Sequence, residues 1–290
     1  MKRPVTHYHK VKVDDLNVFY REAGPDDGPV VVLLHGYPTS SHMYRDLIPM
    51  LADKYHVIAP DLIGFGYSDA PHYKAFSYTF DNLTKYVQGL LDLLKVDRFA
   101  IQVFDYGAPV GYRLALANPE KITAIISQNG NAYKEGLSNG WSLLEKYWNE
   151  PTAENRNSLR VTSTADSIQW QYFTGAPDKS LIAPESYTLD QFFMDRSENE
   201  EIQLDLFKDY ATNVALYPAF HEYFRKYQPP FLATWGEKDP YFIPAGAEAF
   251  KKDLPNAIVR FYDTGHFALE THLNVIGEEI RNFLDGLSLR

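Results

Sequence analysis

The stretch Val103-Phe104-Asp105-Tyr106-Gly107-Ala108 decides how the rest of the chain is read. A short apolar run, Phe99–Val103, leads into it, and a helical pattern from about Gly107 to Ala117 leaves it. A strand that turns sharply into a helix presents the turn residue at the top of a sheet, the context of a nucleophile elbow. Gly107 and Ala108 leave room for that turn, and Gly111 lets the helix approach the sheet. The residue presented is Asp105. A carboxylate there is suited to displacement at an alkyl carbon bearing a leaving group, which leaves an alkyl ester on the protein. The plainer alternative is that Asp105 caps the helix that follows.

Outward from this point, short Val- and Ile-rich runs alternate with amphipathic stretches, which predicts βα units on a mostly parallel sheet. Toward the N-terminus, Val11–Val13 and Leu16–Tyr20 read as an antiparallel hairpin, Val30–Leu34 and His56–Ala59 as strands, and 42–53 and 79–94 as helices. Toward the C-terminus come strand Ile122–Ile126, strand Phe231–Trp235, helix 245–253, strand Ala257–Tyr262 and helix 271–286. Residues 133–226 break this rhythm with helical patterning, most of the Trp and many of the Tyr. The expected organisation is a core of 1–132 and 227–290 with a helical lid, 133–226, inserted into it.

In an open parallel sheet, ligands sit outside the carboxyl ends of the strands. The polar residues at those ends are His35-Gly36-Tyr37-Pro38, Asp105, Asp239 and, after the last strand, His266. Nucleophile, acid and base follow one another in the elbow template, and Asp105, Asp239 and His266 stand in that order. Asp239 would fix the imidazole tautomer and His266 would act as base; the alternatives are a turn aspartate with Glu237 as the acid, and a core histidine. Backbone N–H groups at Tyr37 and Tyr106 form the expected oxyanion hole. Tyr37-Pro38 is the kind of bond where a cis peptide costs little, and His35 reads as a structural hydrogen-bonder. Gly64-Phe65-Gly66-Tyr67-Ser68 lacks the residues of a phosphate loop and reads as a loop shaping the core. His7 and His9 have no third ligand in view, so no metal is expected, and Glu200-Glu201 reads as a solvated face.

Composition narrows the class. With 28 Lys and Arg against 38 Asp and Glu, the net charge is −10, an adverse field for nucleic acid or an anionic membrane. The absence of cysteine excludes disulfides, thiolate metal sites and a Cys nucleophile. No apolar run follows Met1–Pro4 as a signal peptide requires, and no uncharged run reaches spanning length. The expectation is a cytoplasmic monomer or homodimer without cofactor, acting on a small apolar organic substrate.

The runs Val32-Leu33-Leu34-His35-Gly36-Tyr37-Pro38-Thr39-Ser40-Ser41 and Ala59-Pro60-Asp61-Leu62-Ile63-Gly64-Phe65-Gly66-Tyr67-Ser68-Asp69, together with the Asp105 elbow, resemble the α/β-hydrolase superfamily. The chain is most similar to the Asp-nucleophile branch, the haloalkane dehalogenases and epoxide hydrolases, over residues ~25–130 and ~228–286. The resemblance implies an α/β-hydrolase fold with an inserted lid and an Asp105–His266–Asp239 triad. Dehalogenases carry a Trp after the nucleophile and often an Asn in the oxyanion loop; Tyr106 and Tyr37 stand there instead. Trp170 falls where some of them place a second halide-binding Trp. Epoxide hydrolases use lid tyrosines as donors to the epoxide oxygen, which implies that role for Tyr217 and Tyr172, with Gln169 as the other candidate for the second position. Trp141, Trp148, Trp170, Phe192 and Phe193 are expected around the pocket. Epoxide opening is the leading expectation and haloalkane dehalogenation the alternative; a ligand-binding protein on the same fold is a third reading.

Overall fold

A computed structural model describes residues 4–288. Eight strands form one sheet in the order β1-β2-β4-β3-β5-β6-β7-β8: β1 His7–Val13, β2 Leu16–Ala23, β3 Val30–Leu34, β4 His56–Pro60, β5 Phe99–Phe104, β6 Ile122–Gln128, β7 Phe231–Gly236 and β8 Ile258–Tyr262. The hairpin β1–β2 joins β4 antiparallel, and every other pairing is parallel. Strands β5 and β7 are buried along their whole length, as apolar strands covered by helices on both faces must be. The sequence-based reading of an α/β-hydrolase fold holds.

Ten α-helices accompany the sheet among the described residues. Three precede β6: α1 Ile48–Leu51, α2 Phe80–Leu93 and α3 Gly107–Ala117. The continuous helix expected over 42–53 is instead a 3-10 turn, Ser41–Tyr44, followed by α1. Pro49 sits in the first turn of α1 and has no N–H to continue a helix from the preceding turn. Helix α2 starts where Thr79 accepts a hydrogen bond from the Asn82 N–H, a cap that satisfies one of the open backbone donors.

The segment between β6 and β7 is helical throughout its regular structure: α4 Ser142–Asn149, α5 Ala153–Ser158, α6 Ala165–Phe173, α7 Pro184–Met194 and α8 Asn199–Tyr227, with 3-10 turns between them. The expected boundary at 226 falls inside the last turn of α8. The second half of α8 packs with the core: Phe220 and Phe224 lie against Tyr112 of α3, and Phe224 also against Phe231 of β7. Glu200 and Glu201, expected on a solvated face, pair with Arg160 and Arg156 and tie α8 to the segment before α6. Two helices, α9 Pro244–Ala249 and α10 Ala268–Asp285, complete the core; α10 is kinked at His272. No helix among the described residues is long and apolar enough to cross a membrane.

Because β3, β5, β6, β7 and β8 run parallel, their carboxyl ends meet on one edge of the sheet. That edge carries the loops beginning at His35, Asp105, Asn129, Glu237 and Asp263. Residues of α4, α6 and the first half of α8 reach over it.

Candidate active site

Asp105 stands between β5 and α3 with φ +47°, a left-handed conformation uncommon for residues other than glycine. The turn closes tightly. A Cβ on Gly107 would lie 2.1 Å from the Leu34 carbonyl oxygen, so only glycine fits beside β3. Asp105 is 8% exposed. Its Oδ1 accepts a hydrogen bond from the Tyr37 N–H at 2.6 Å, and the Tyr106 N–H also donates to the carboxylate. Tyr37-Pro38 is cis. The two backbone donors expected as an oxyanion hole therefore converge on one carboxyl group, which they can stabilise when negative charge resides on its oxygens.

Burial raises the Asp105 pKa to about 6, against the lowering effects of His266 and of the two backbone donors. His266 Nε2 is 3.9 Å from Asp105 Oδ2, close but beyond direct hydrogen-bond distance. On its other side, His266 Nδ1 donates to Asp239 Oδ2 at 2.6 Å. Burial alone would push the imidazole pKa down. The Asp239 charge and hydrogen bond, with the Asp105 charge, outweigh it and raise the pKa above the ordinary value. Glu237, the alternative acid, is exposed.

Asp239 is held from several directions. Its Oδ1 accepts from the backbone N–H of Tyr241 and Phe242, at 2.7 and 3.1 Å. Its Oδ2 accepts from Asn129 Nδ2 at 2.8 Å in addition to His266. Asn129, directly after β6 and itself at φ +46°, has no sequence signal beyond its place at a strand's carboxyl end. His35 plays the structural part expected of it, accepting from Leu62 N–H at 2.9 Å through Nε2 and bonding the Gly36 carbonyl through Nδ1.

A cavity of about 50 Å³ opens over Asp105 and His266. One water needs roughly 10–15 Å³ on this scale, so the space admits only a small molecule. Its walls are mainly apolar side chains from both sides of the cleft, among them Trp141, Leu144 and Phe207 from the helical segment. No Lys or Arg lines it. Besides Asp105 and His266, its polar lining residues are Tyr37, Tyr106, Thr162, Gln171 and Tyr241. The Tyr106 hydroxyl and the Gln171 Nε2 are buried without a hydrogen-bond partner. Such an orphaned donor costs about 1–3 kcal/mol, a cost that an acceptor on a bound molecule would remove. Burial, reinforced by the Asp105 charge, holds the Tyr106 phenol well above its ordinary pKa and therefore protonated.

Three residues expected to contact the substrate lie elsewhere. Tyr217 is buried outside the cavity wall, where Asn131 Nδ2 donates to its hydroxyl at 3.3 Å. Tyr172 donates its hydroxyl to Asp190 at 2.5 Å and stacks on Phe267. Trp170 is 47% exposed, its ring against the outer side of the cavity residue Tyr241 at 6.0 Å. Of the five aromatics expected around the pocket, only Trp141 lines it. Trp148 packs behind it against Tyr210, Phe193 packs on Tyr67, and Phe192 is exposed.

The family model described as "alpha/beta hydrolase fold" matches residues 29–273. An uncharacterized hydrolase of Saccharomyces cerevisiae is 45% identical over 285 residues, covering 97% of this chain and 98% of that one. A haloalkane dehalogenase of Mycobacterium marinum is 31% identical over 244 residues, covering 81% and 77%. Among solved structures, haloalkane dehalogenase DbeA of Bradyrhizobium elkani superimposes with a TM-score of 0.79 at 23% identity, covering 97% of this chain and 98% of that one. Cfl2 of Burkholderia cenocepacia does so at 0.80 and 21%, covering 96% and 95%. The chain belongs to the α/β-hydrolase family, in its haloalkane dehalogenase-like branch, and is a hydrolase of that family.

Proposed function

We propose that the protein is a cofactor-independent hydrolase that opens small, neutral epoxides through an alkyl ester on Asp105. An Asp105 oxygen attacks a ring carbon, and the ester C–O bond forms as the ring C–O bond breaks. The electron pair goes to the departing oxygen, which takes the phenolic proton of Tyr106 while Gln171 Nε2 donates a hydrogen bond to it. Water then attacks the ester carbonyl, giving a proton to His266, and the N–H groups of Tyr37 and Tyr106 hold the oxyanion. Collapse expels the alkoxide, which takes the proton from His266 and leaves as the diol. The acid proton of Asp105 returns to the Tyr106 phenolate, so one epoxide and one water give one diol. Esterification also removes the Asp105 charge, one of the causes that raise the His266 pKa. The imidazole is thereby freed to act as base at the step that needs one.

The observation that carries the epoxide reading is the donor inventory of the cavity. The dehalogenases that the chain resembles hold halide with indole N–H groups, and here the indoles are spent or remote. Trp141, Trp148 and Trp235 donate to the backbone carbonyls of Tyr241, Phe207 and Phe242, while Trp170 lies outside. The unpartnered donors are a phenol and an amide. An alkoxide needs a proton, which a phenol supplies and an indole does not. The absence of cationic lining residues disfavours substrates bearing a carboxylate, since a buried charge needs a partner.

Haloalkane dehalogenation stands as the second reading, favoured by the likeness to the Mycobacterium marinum enzyme. Single-turnover hydrolysis in ¹⁸O-labelled water tests the ester route for either substrate. Label should enter the Asp105 carboxyl group and not the product of that first turnover. Label in the product would mean direct attack by water and defeat the proposal.

A further inference from the structure

We propose that Tyr172, locked by Asp190, is a positioning residue for His266, through which the inserted helices hold the histidine loop in its working place. This rests on the reading of His266 as the base that hydrolyses the ester.

The histidine loop has helix α6 against it on both sides of His266. Before the histidine, Gly265 lies so close to the end of α6 that a Cβ on it would fall 1.8 Å from the Thr174 carbonyl oxygen. After the histidine, the Phe267 ring stacks on Tyr172 at 3.7 Å between centroids and 8° between planes. Phe267 also lies 5.2 Å from Phe104, the residue before Asp105, and Phe104 lies 4.5 Å from the His266 ring. Tyr172 thus presses on the aromatic group that backs both members of the candidate nucleophile–base pair.

What fixes Tyr172 is a hydrogen bond from its hydroxyl to Asp190 Oδ2 at 2.5 Å, with both side chains almost fully buried. Asp190 belongs to α7, and the same helix reaches the core through Ser186, whose hydroxyl donates to Glu270 at 3.0 Å. Glu270 is in turn gripped by both terminal nitrogens of Arg45, at 3.0 and 2.9 Å. Helix α7 is therefore bonded to the first turn of α10, and α6 stacks on Phe267 just before it, both close after His266. Neither Asp190 nor Tyr172 borders the cavity, so their effect on the reaction must pass through the position of the histidine.

A positioning role has a signature that general packing lacks. Alkylation of Asp105 does not use His266, whereas hydrolysis of the ester does. Tyr172→Leu removes the stack, and should slow ester hydrolysis at least tenfold while alkylation stays within twofold, so that ester accumulates during turnover. Tyr172→Phe keeps the ring but loses the bond to Asp190, and should recover only part of the lost rate. The substrate-independent readout is NMR of the His266 ring. In Tyr172→Leu the downfield Nδ1 proton shared with Asp239 should broaden or move, and the imidazole pKa should fall toward the ordinary value. An unchanged His266 proton resonance and pKa in folded Tyr172→Leu would overturn the inference, whatever the substrate. Equal slowing of both half-reactions would overturn it too, by reducing Tyr172 to packing. Failure of the wild-type protein to form any Asp105 ester would instead defeat the proposed function.

Discussion

Asn129 Nδ2 donates to Asp239 Oδ2 at 2.8 Å, on the oxygen that also receives His266 Nδ1 at 2.6 Å. Asn129 is anchored in turn, its Oδ1 accepting from the Gly236 N–H at 2.9 Å. The amide therefore fixes the rotation of the carboxyl group that orients the imidazole. Hydrogen bonds to charged groups contribute about 1.5–3 kcal/mol. Asn129→Gly, which suits the positive φ while deleting the amide, should slow ester hydrolysis roughly 10- to 100-fold by that scale. Alkylation of Asp105 should be unaffected, and rapid-quench mass spectrometry separates the two steps.

The same burial that defines the site costs stability. Asp105 is pushed up to about 6, so ionising it in the folded state is unfavourable relative to the unfolded chain. The sign follows: the penalty is absent below the unfolded carboxyl pKa, grows as pH rises toward 6 and is complete above it. Asp105→Asn removes the charge and keeps a residue type that tolerates φ +47°. Its product formation should vanish, and its melting temperature at pH 8 should exceed the wild type's. That stability margin, on the order of 1–3 kcal/mol for a shift of this size, should shrink when both proteins are melted at pH 4.5.

By the proposed mechanism, alkylation requires the ionised Asp105. Its rate should fall about tenfold for each unit of pH below the group's pKa, with the limb near 6 set by burial. The Tyr106 phenol stays protonated far above neutrality, so no matching loss is expected on the alkaline side up to pH 9. Stopped-flow measurement of ester formation across pH 4.5–9 checks both limbs.

Much of this arrangement could be read along the chain because it is local. The elbow at Asp105, the loop at Tyr37 and the order of Asp239 and His266 each follow from residues adjoining one strand. The cavity walls were not local. Trp170 and Gln171 are sequence neighbours about 100° apart around α6, and only packing against the core decides that Gln171 faces inward. Tyr217 was expected at the substrate for a similar reason. Helix α8 runs 29 residues; Phe207 near its start reaches the cavity, whereas Tyr217, ten residues on, meets Asn131 beneath the helix. Asn129 carries no local signal, because its value lies in a bond to Asp239, 110 residues away.

Gln171 is the residue whose amide most directly distinguishes binding from packing. Gln171→Met keeps the volume and deletes the unpartnered Nε2 donor. Losing a donor to developing charge typically costs ~10²–10³ in rate, and alkylation by an epoxide should slow on that scale. Because an unsatisfied buried group is removed, the melting temperature should hold or rise. A wild-type alkylation rate in this variant would remove Gln171 from the mechanism.

The most direct measurement of the central claim uses His266→Ala, which lacks the proposed base for the second step but retains Asp105 and its backbone donors. The variant is incubated with a small neutral epoxide that the wild-type protein hydrolyses, and separately with the matching haloalkane, and intact mass and peptide mapping are recorded. The account predicts a stable adduct on Asp105 equal in mass to the whole epoxide. An adduct formed only from the haloalkane, equal to its alkyl group without halide, would move the reaction to dehalogenation. An unmodified Asp105, beside a wild-type protein that turns the epoxide over, would contradict the ester mechanism itself.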